Sequence, residues 1–269
     1  MLDRNKLSRL KELTIYFAKR ELRNRVAGNI GGYFWIIAQP LLNIFMFIFI
    51  FSVILKLRVQ SYYPEAGSFT IFLLTGLLPW MAFQESILRS MTVIIENAEA
   101  IKKIPFPTET LITGTTLACY ILTGIGFFIL TLYCCFILHF VSLKLAIAKL
   151  LITFALYAGQ LLLSIGLGLI VSAFTVYIRD LTQLIPILMQ VWFYTTPIVY
   201  PLKMVPPGVK KIILLNPMTK YVELYRWVLL KRELPKLEEY IPLVIFIFTT
   251  VAAGIWTFRK LKEGFTDIL

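Results

Sequence analysis

Between Gly31 and Leu55 the chain reads GGYFWIIAQPLLNIFMFIFIFSVIL, with no charged residue. As a helix this run would reach about 37 Å, against a hydrocarbon core of about 30 Å. Secretory signal peptides carry an apolar region of only about 7–15 residues, followed by a small-residue cleavage site. Here the run ends in Lys56 and Arg58, with no such site. The stretch therefore reads as a retained transmembrane helix. Hydrophobic residues make up 58% of the chain and charged residues 16%. A soluble domain could not cover that much apolar surface, so the expectation is one all-α polytopic membrane domain over residues 31–269, preceded by a separate amphipathic segment over 1–30.

Six spans are expected, over about 32–55, 69–95, 110–138, 146–178, 181–201 and 240–258. Several exceed the roughly 20 residues needed to cross a bilayer, so tilt or extension beyond the lipid follows. Ahead of them, Leu10, Leu13 and Phe17 follow helical spacing, as do Ile15, Ala18, Leu22 and Val26. Basic residues from Arg4 to Arg25 surround them, as in a helix lying at a membrane surface. Gly28, Gly31 and Gly32 then break that helix and turn the chain into the bilayer.

Orientation follows from Lys and Arg. With the N-terminus inside, the inner segments hold 14 of them and the first two outer loops about four. That favours both termini inside. Residues 203–239 disagree, placing eight basic residues outside. This segment is no ordinary loop. Ile212–Leu215 is too short to span, Asn216-Pro217 interrupts it, and the stretch from Met218 to Leu230 is amphipathic. Two half-helices over about 205–235 that dip into the membrane and return fit this pattern, and so do two helices lying flat on the outer leaflet. Irregular backbone at membrane depth is allowed only where protein or a watery cavity shelters it.

The residues argue against catalysis by this chain. Its three aspartates, Asp3, Asp180 and Asp267, pair with no carboxylate at catalytic spacing. No GxSxG, HExxH or GxxxxGK[ST] occurs, so neither a hydrolase elbow, a zinc protease nor a phosphate loop is present in the sequence. Cys119, Cys134 and Cys135 lie in one apolar run without metal-ligand spacing, and His139 is the sole histidine, so no metal site is expected. The formal charge is +12. The basic residues sit in tails and loops beside apolar runs, which suits anionic lipid headgroups and not nucleic acid.

Three features stand out as site candidates. Glu85 lies in the second span, with Arg89 one turn on at i+4, where the two can pair. This reads either as a self-neutralised pair or as a polar patch on a pathway. Tyr33, Phe34 and Trp35 open the first span, and Trp192, Phe193 and Tyr194 close the fifth. They serve as an interfacial belt or as rings that hold a sliding sugar polymer. The loop ENAEAIKKIPFPTET, with Glu96, Asn97, Glu99, Lys102 and Lys103, makes either a plain connection or a short charged helix. That helix would stop near Lys103, because the prolines at 105 and 107 disfavour its continuation.

Taken in order, these stretches resemble the transmembrane subunit of type-2 ABC polysaccharide exporters, nearest to those that export O-antigen. The resemblance covers nearly the whole chain. It rests on Gly32, Trp35 and Gln39-Pro40-Leu41-Leu42, then Gly76-Leu77-Leu78-Pro79-Trp80 and Lys103-Ile104-Pro105-Phe106-Pro107. It continues with Arg179-Asp180, the stretch Thr196-Pro197-Ile198-Val199-Tyr200-Pro201, Asn216-Pro217-Met218 and Tyr225-Arg226. Ile104 stands where the family often has Val or Tyr. The resemblance implies a homodimer in the bacterial inner membrane, docked to two copies of a cytoplasmic ATPase subunit. That subunit binds ATP and Mg, and this chain binds no cofactor. It also implies coupling to the ATPase through Glu96–Lys103, and an outer gate that includes Pro207, Asn216, Pro217, Tyr225 and Arg226. The implied cargo is a lipid-linked glycan. Rival readings are a drug or small-lipid exporter of the same fold, and a membrane-embedded glycosyltransferase. The latter would need Asp-rich or histidine-bearing loops, and residues 203–239 hold no Asp and no His.

Overall fold

The computed structural model describes residues 4–25, 33–56, 63–138 and 141–269. The described part is helical throughout, without a strand. Helix α1 (Arg4–Asn24) precedes α2 (Tyr33–Ile48), which runs on as a π-helical turn over Phe49–Ile54. A long α3 (Phe69–Glu96) is followed by the short α4 (Ala98–Lys103). Next come α5 (Glu109–Tyr133), extended by π-helical Cys134–Leu138, and α6 (Leu143–Tyr177). The last elements are α7 (Leu181–Thr195), α8 (Pro207–Leu215), α9 (Pro217–Leu230), α10 (Ile241–Lys262) and α11 (Phe265–Ile268). Among the described residues, four helical stretches are long and apolar enough to cross a membrane: Phe69–Glu96, Glu109–Leu138, Leu143–Tyr177 and Leu237–Lys262. The apolar stretch Pro40–Ile54 is shorter.

Local chemistry explains the boundaries. Ser68 accepts from the Ile71 N–H at 3.3 Å and starts α3; Ser142 accepts from Leu145 at 3.5 Å and starts α6. Pro217 occupies the first turn of α9, where no N–H is needed, and Asn216 caps it. The 35 residues of α6 extend about 52 Å, well beyond one hydrocarbon thickness.

One expected element is shorter than its sequence pattern suggests. The run over 181–201 is helical only to Thr195. Pro197 disfavours helical backbone at Thr196, which is extended at φ −91° and ψ 132°. The chain from 196 to 201 then turns without helical pairing.

The bundle is organised around α3 and α6. Helix α10 lies along α6 at very close range: a methyl group on Gly254 would stand 2.4 Å from the Gly166 carbonyl oxygen. Only glycine allows that crossing. Helix α9 packs against α3, α6 and α10. Met218, Tyr221, Val222, Leu224, Tyr225, Val228 and Leu229 are all buried there. Helix α1 packs along α5, where Phe17 and Ala18 are buried and Thr14 meets Thr113 at 3.2 Å. Ile15, on the same apolar stripe in the sequence, is exposed instead. In lipid these contacts are held by close packing and hydrogen bonds more than by the hydrophobic effect, because lipid tails are as apolar as leucine.

Candidate functional site

At the end of the bundle where α7 stops, backbone carbonyls lose their helical donors. Arg226, projecting from α9, supplies replacements. Its Nη1 donates to the Pro197 carbonyl at 2.6 Å, and its Nη2 to that of Ile198 at 2.7 Å. The guanidinium is wholly buried and lies over the Phe72 ring, 3.6 Å from its centroid. Glu223, one turn earlier, accepts from Nη1 at 3.2 Å. The other carboxylate oxygen of Glu223 accepts from the Tyr63 hydroxyl at 2.9 Å. Burial and the adjacent carboxylate raise the Tyr63 phenol above its ordinary pKa, so it keeps its proton and remains a donor. A buried cation is tolerated where carbonyls and a carboxylate satisfy it. The result ties α9, α3, the end of α7 and the segment before α3 into one unit.

Asn216 makes a second tie at the same break. Its side-chain oxygen accepts from the Trp192 indole at 2.8 Å and from the Met218 N–H at 2.9 Å. Its amide donates to Thr196 Oγ1 at 2.9 Å. Beside it lies a groove of about 560 Å³, lined by Trp192, Tyr194, Tyr200, Val209, Ile212 and Asn216 among others. Its aromatic faces suit the C–H faces of a ligand, while the Asn216 amide is engaged within the protein.

The aromatic residues singled out in the sequence divide. Trp192 is half-buried at the groove, Tyr194 is exposed there, and Phe193 is buried. Phe193 packs against Phe47 and Trp80, with ring centroids 5.4 and 5.7 Å away. Phe34 is exposed, and the side chains of Tyr33 and Trp35 lie outside the described residues, as does His139. Of the gate residues, Asn216 and Pro217 start α9 and Arg226 reaches the same chain break from further along it, whereas Tyr225 turns to Gln160 on α6, and Pro207 begins α8 and is exposed.

A polar band crosses the middle of the bundle. Gln160 on α6 donates to the Pro79 carbonyl of α3 at 3.1 Å and accepts from the Tyr225 hydroxyl at 2.7 Å. Tyr120 and Ser164 share a hydrogen bond of 2.7 Å, and Tyr157 donates to the Tyr120 carbonyl at 3.0 Å. Lys149, fully buried, donates at 2.6 Å to the carbonyl of Lys231, the residue that follows α9, where a cation suits the helix dipole.

At the opposite end, α3 gives way to α4 at Asn97. The sequence invites a pairing of Glu85 with Arg89; the structure pairs each elsewhere. Glu85 accepts from Arg25, the residue that follows α1. Arg89 holds Glu21 of α1 through Nε at 2.9 Å and Nη2 at 3.2 Å. It also holds Glu96 at the end of α3, through Nη1 at 3.1 Å and Nη2 at 3.3 Å. The reason is that α1 brings Glu21 and Arg25 alongside this face of α3, and the forked guanidinium reaches two carboxylates at once. Asn97 is buried; it donates to the Val93 carbonyl at 2.7 Å and accepts from Arg20. Beyond it α4 buries no residue. Glu99 and Lys103 pair at 3.2 Å on its surface, with 89% and 73% of their side chains exposed, and Lys102 is exposed beside them.

Sequence reasoning passed over Glu21, Arg20, Gln160, Lys149 and the pair Tyr63–Glu223. Gln160 and Lys149 could have been flagged as polar residues inside an apolar run. Glu21 carried a fainter signal, one of two acids among many bases on α1. Among the described residues no group of three His, Cys, Asp or Glu side chains could hold a metal ion.

Comparison with known proteins gives a consistent result. The family described as ABC-2 type transporter matches residues 12–230. An O-antigen export system permease protein RfbA of Klebsiella pneumoniae is 29% identical over 272 residues, covering 98% of this chain and 97% of that protein. A protein of the same name from Myxococcus xanthus is 24% identical, covering 97% and 96%. The polysialic acid transport protein KpsM of Escherichia coli is 25% identical, covering 91% and 92%.

Proposed function

Because the chain belongs to the ABC-2 type transporter family, we propose that it is the membrane subunit of an ATP-driven exporter of lipid-linked polysaccharide of the O-antigen type. The observation that carries this reading is near full-length similarity to proteins named as O-antigen export permeases. In this reading the chain forms a homodimer in a bacterial inner membrane and docks two copies of a separate ATPase subunit, which bind ATP and Mg. It makes six crossings: the four long helices, α2 with its π-helical extension, and α7. Both termini face the cytoplasm, so α1 and α4 lie on the inner side. Helices α8 and α9 form a re-entrant pair at the outer side, and the burial of α9 supports that placement. Basic tails at the inner surface meet anionic lipid headgroups.

The mechanism follows from the two ends. Closure of the ATPase subunits on ATP presses on α4 and its root, through Glu96, Glu99, Lys102 and Lys103, with the buried Asn97 holding that root from behind. The movement shifts α2 and α7 about the dimer axis and opens a path. The glycan enters from the inner leaflet and leaves past the groove of Trp192, Tyr194 and Tyr200. Glu85 and Arg89, each neutralised by α1 or the residue that follows it, border the inner part of that path. The similarity to a polysialic acid transporter supports a second cargo, a capsular polymer, with the same machinery.

Depletion of the protein in its own cells tests the reading. Surface polysaccharide should fall while lipid-linked polymer accumulates on the cytoplasmic face. Normal surface glycan would sink the assignment and favour a small-molecule exporter of the same fold.

A further inference from the structure

We infer that Arg89 is a positioning residue that makes α4 and α1 move as one body, so that force delivered to α4 enters the membrane through α1 as well as through α3. The inference rests on the proposed coupling role of α4 and extends it.

Three observations carry it. First, α4 has no fully buried residue and only Ile101 packs on the apolar cluster that includes Phe17 of α1, so a load on it leaves through its root and through that contact. Second, that root is tied to α1 more than once. Asn97 accepts from Arg20, and Phe106, just beyond α4, packs on Phe17 with ring centroids 5.6 Å apart. Third, Arg89 bridges two carboxylates that belong to different elements. Four hydrogen bonds of 2.9–3.3 Å fork onto Glu21 of α1 and onto Glu96, the last residue of α3 before the root. From Glu21 the chain of charges continues to Arg25 and thence to Glu85, eleven residues above Glu96 on α3. A planar guanidinium with donors in a fixed fork holds both carboxylates in register; an ammonium could hold only one well. Rigid elements joined by such pairs are a physical route for coupling between sites.

The test uses the full complex with its ATPase subunits in proteoliposomes. ATP hydrolysis, glycan export and the distance between spin labels at Lys19 on α1 and Ile104, which caps the end of α4, are measured together. Both positions are exposed, and the three native cysteines are buried. In the wild type the label distance should not change with nucleotide. In Arg89→Ala, Arg89→Lys and Glu21→Gln, hydrolysis should persist, export per ATP should fall by about fivefold or more, and the distance should become nucleotide-dependent. Lysine at position 89 keeps the charge, so its failure to rescue separates the fork from simple neutralisation. If Arg89→Ala does not accumulate, the two milder variants decide. Unchanged export per ATP with a constant distance in the variants would overturn the inference. A wild-type complex that hydrolyses ATP without moving glycan would sink the export reading, and the label distances would still decide the coupling of α1 to α4.

Discussion

Two arginines hold the two ends of this bundle in opposite ways. Arg226 is wholly buried, and most of its partners are fixed backbone carbonyls. Arg89 leaves 35% of its side chain exposed, and its partners are carboxylates on flexible side chains from two helices. A buried cation on carbonyls has no alternative partner once lost, so it fixes a shape. A half-exposed cation between carboxylates can exchange with water at little cost, so it suits a joint that must carry movement. On the proposed reading, the α9 end is built for stability and the α4 end for transmission.

The sharpest way to break that contrast is Arg226→Met. The carbonyls of Pro197 and Ile198 would lose their side-chain donor and the carboxylate of Glu223 one of its two, and stability should drop by about 3–5 kcal/mol. Thermal unfolding in detergent reads the loss, and a drop below about 1 kcal/mol would deny the clamp its role. Gln160→Leu comes next. It strands the buried Tyr225 hydroxyl without charge being involved, and about 1–2 kcal/mol of destabilisation is expected in the same assay. Glu85→Gln at the α4 end should cost no more than about 1 kcal/mol, since its carboxylate is 41% exposed. Matching losses for Glu85 and Arg226 variants would erase the distinction. The smallest effect on stability belongs to Lys103→Ala, within about 0.5 kcal/mol, because its pair with Glu99 is at the surface. The same substitution, with Glu96→Ala and Lys102→Ala, should lower export per ATP hydrolysed, measured in reconstituted complexes. Stability lost without any change in that ratio would place α4 among ordinary connections.

Much of the fold is legible in the chain because apolar length and capping act locally. Phe69–Glu96, Leu143–Tyr177 and Ile241–Lys262 agree within a few residues with the runs at 69–95, 146–178 and 240–258. Ser68 and Ser142 mark two of those starts by their own hydrogen bonds. The stop of α7 at Thr195 was written in Thr196-Pro197, but the apolar residues beyond it concealed the break. Pairing was harder to read. The spacing of Glu85 and Arg89 is right for a helical ion pair, yet each chooses a partner on α1 or just after it. Which partner wins depends on where α1 docks, and that depends on Phe17 meeting Gly114 of α5. Likewise Phe193 sits beside two groove aromatics in sequence and faces the core in space, since neighbours on a helix point in different directions.

The seam between α6 and α10 has a consequence for how the chain is made. Gly166 and Gly254 are 88 residues apart (254 − 166), and neither can close the seam alone. At a synthesis rate of about 5–20 residues per second, α6 waits roughly 4–18 s before its partner glycine leaves the ribosome. During that interval α6 sits in the bilayer with its glycine groove filled by lipid, open to any small-residue helix that arrives first. Final assembly is thus timed by translation, and a nascent subunit stays distinguishable from a finished one until α10 has been threaded into place.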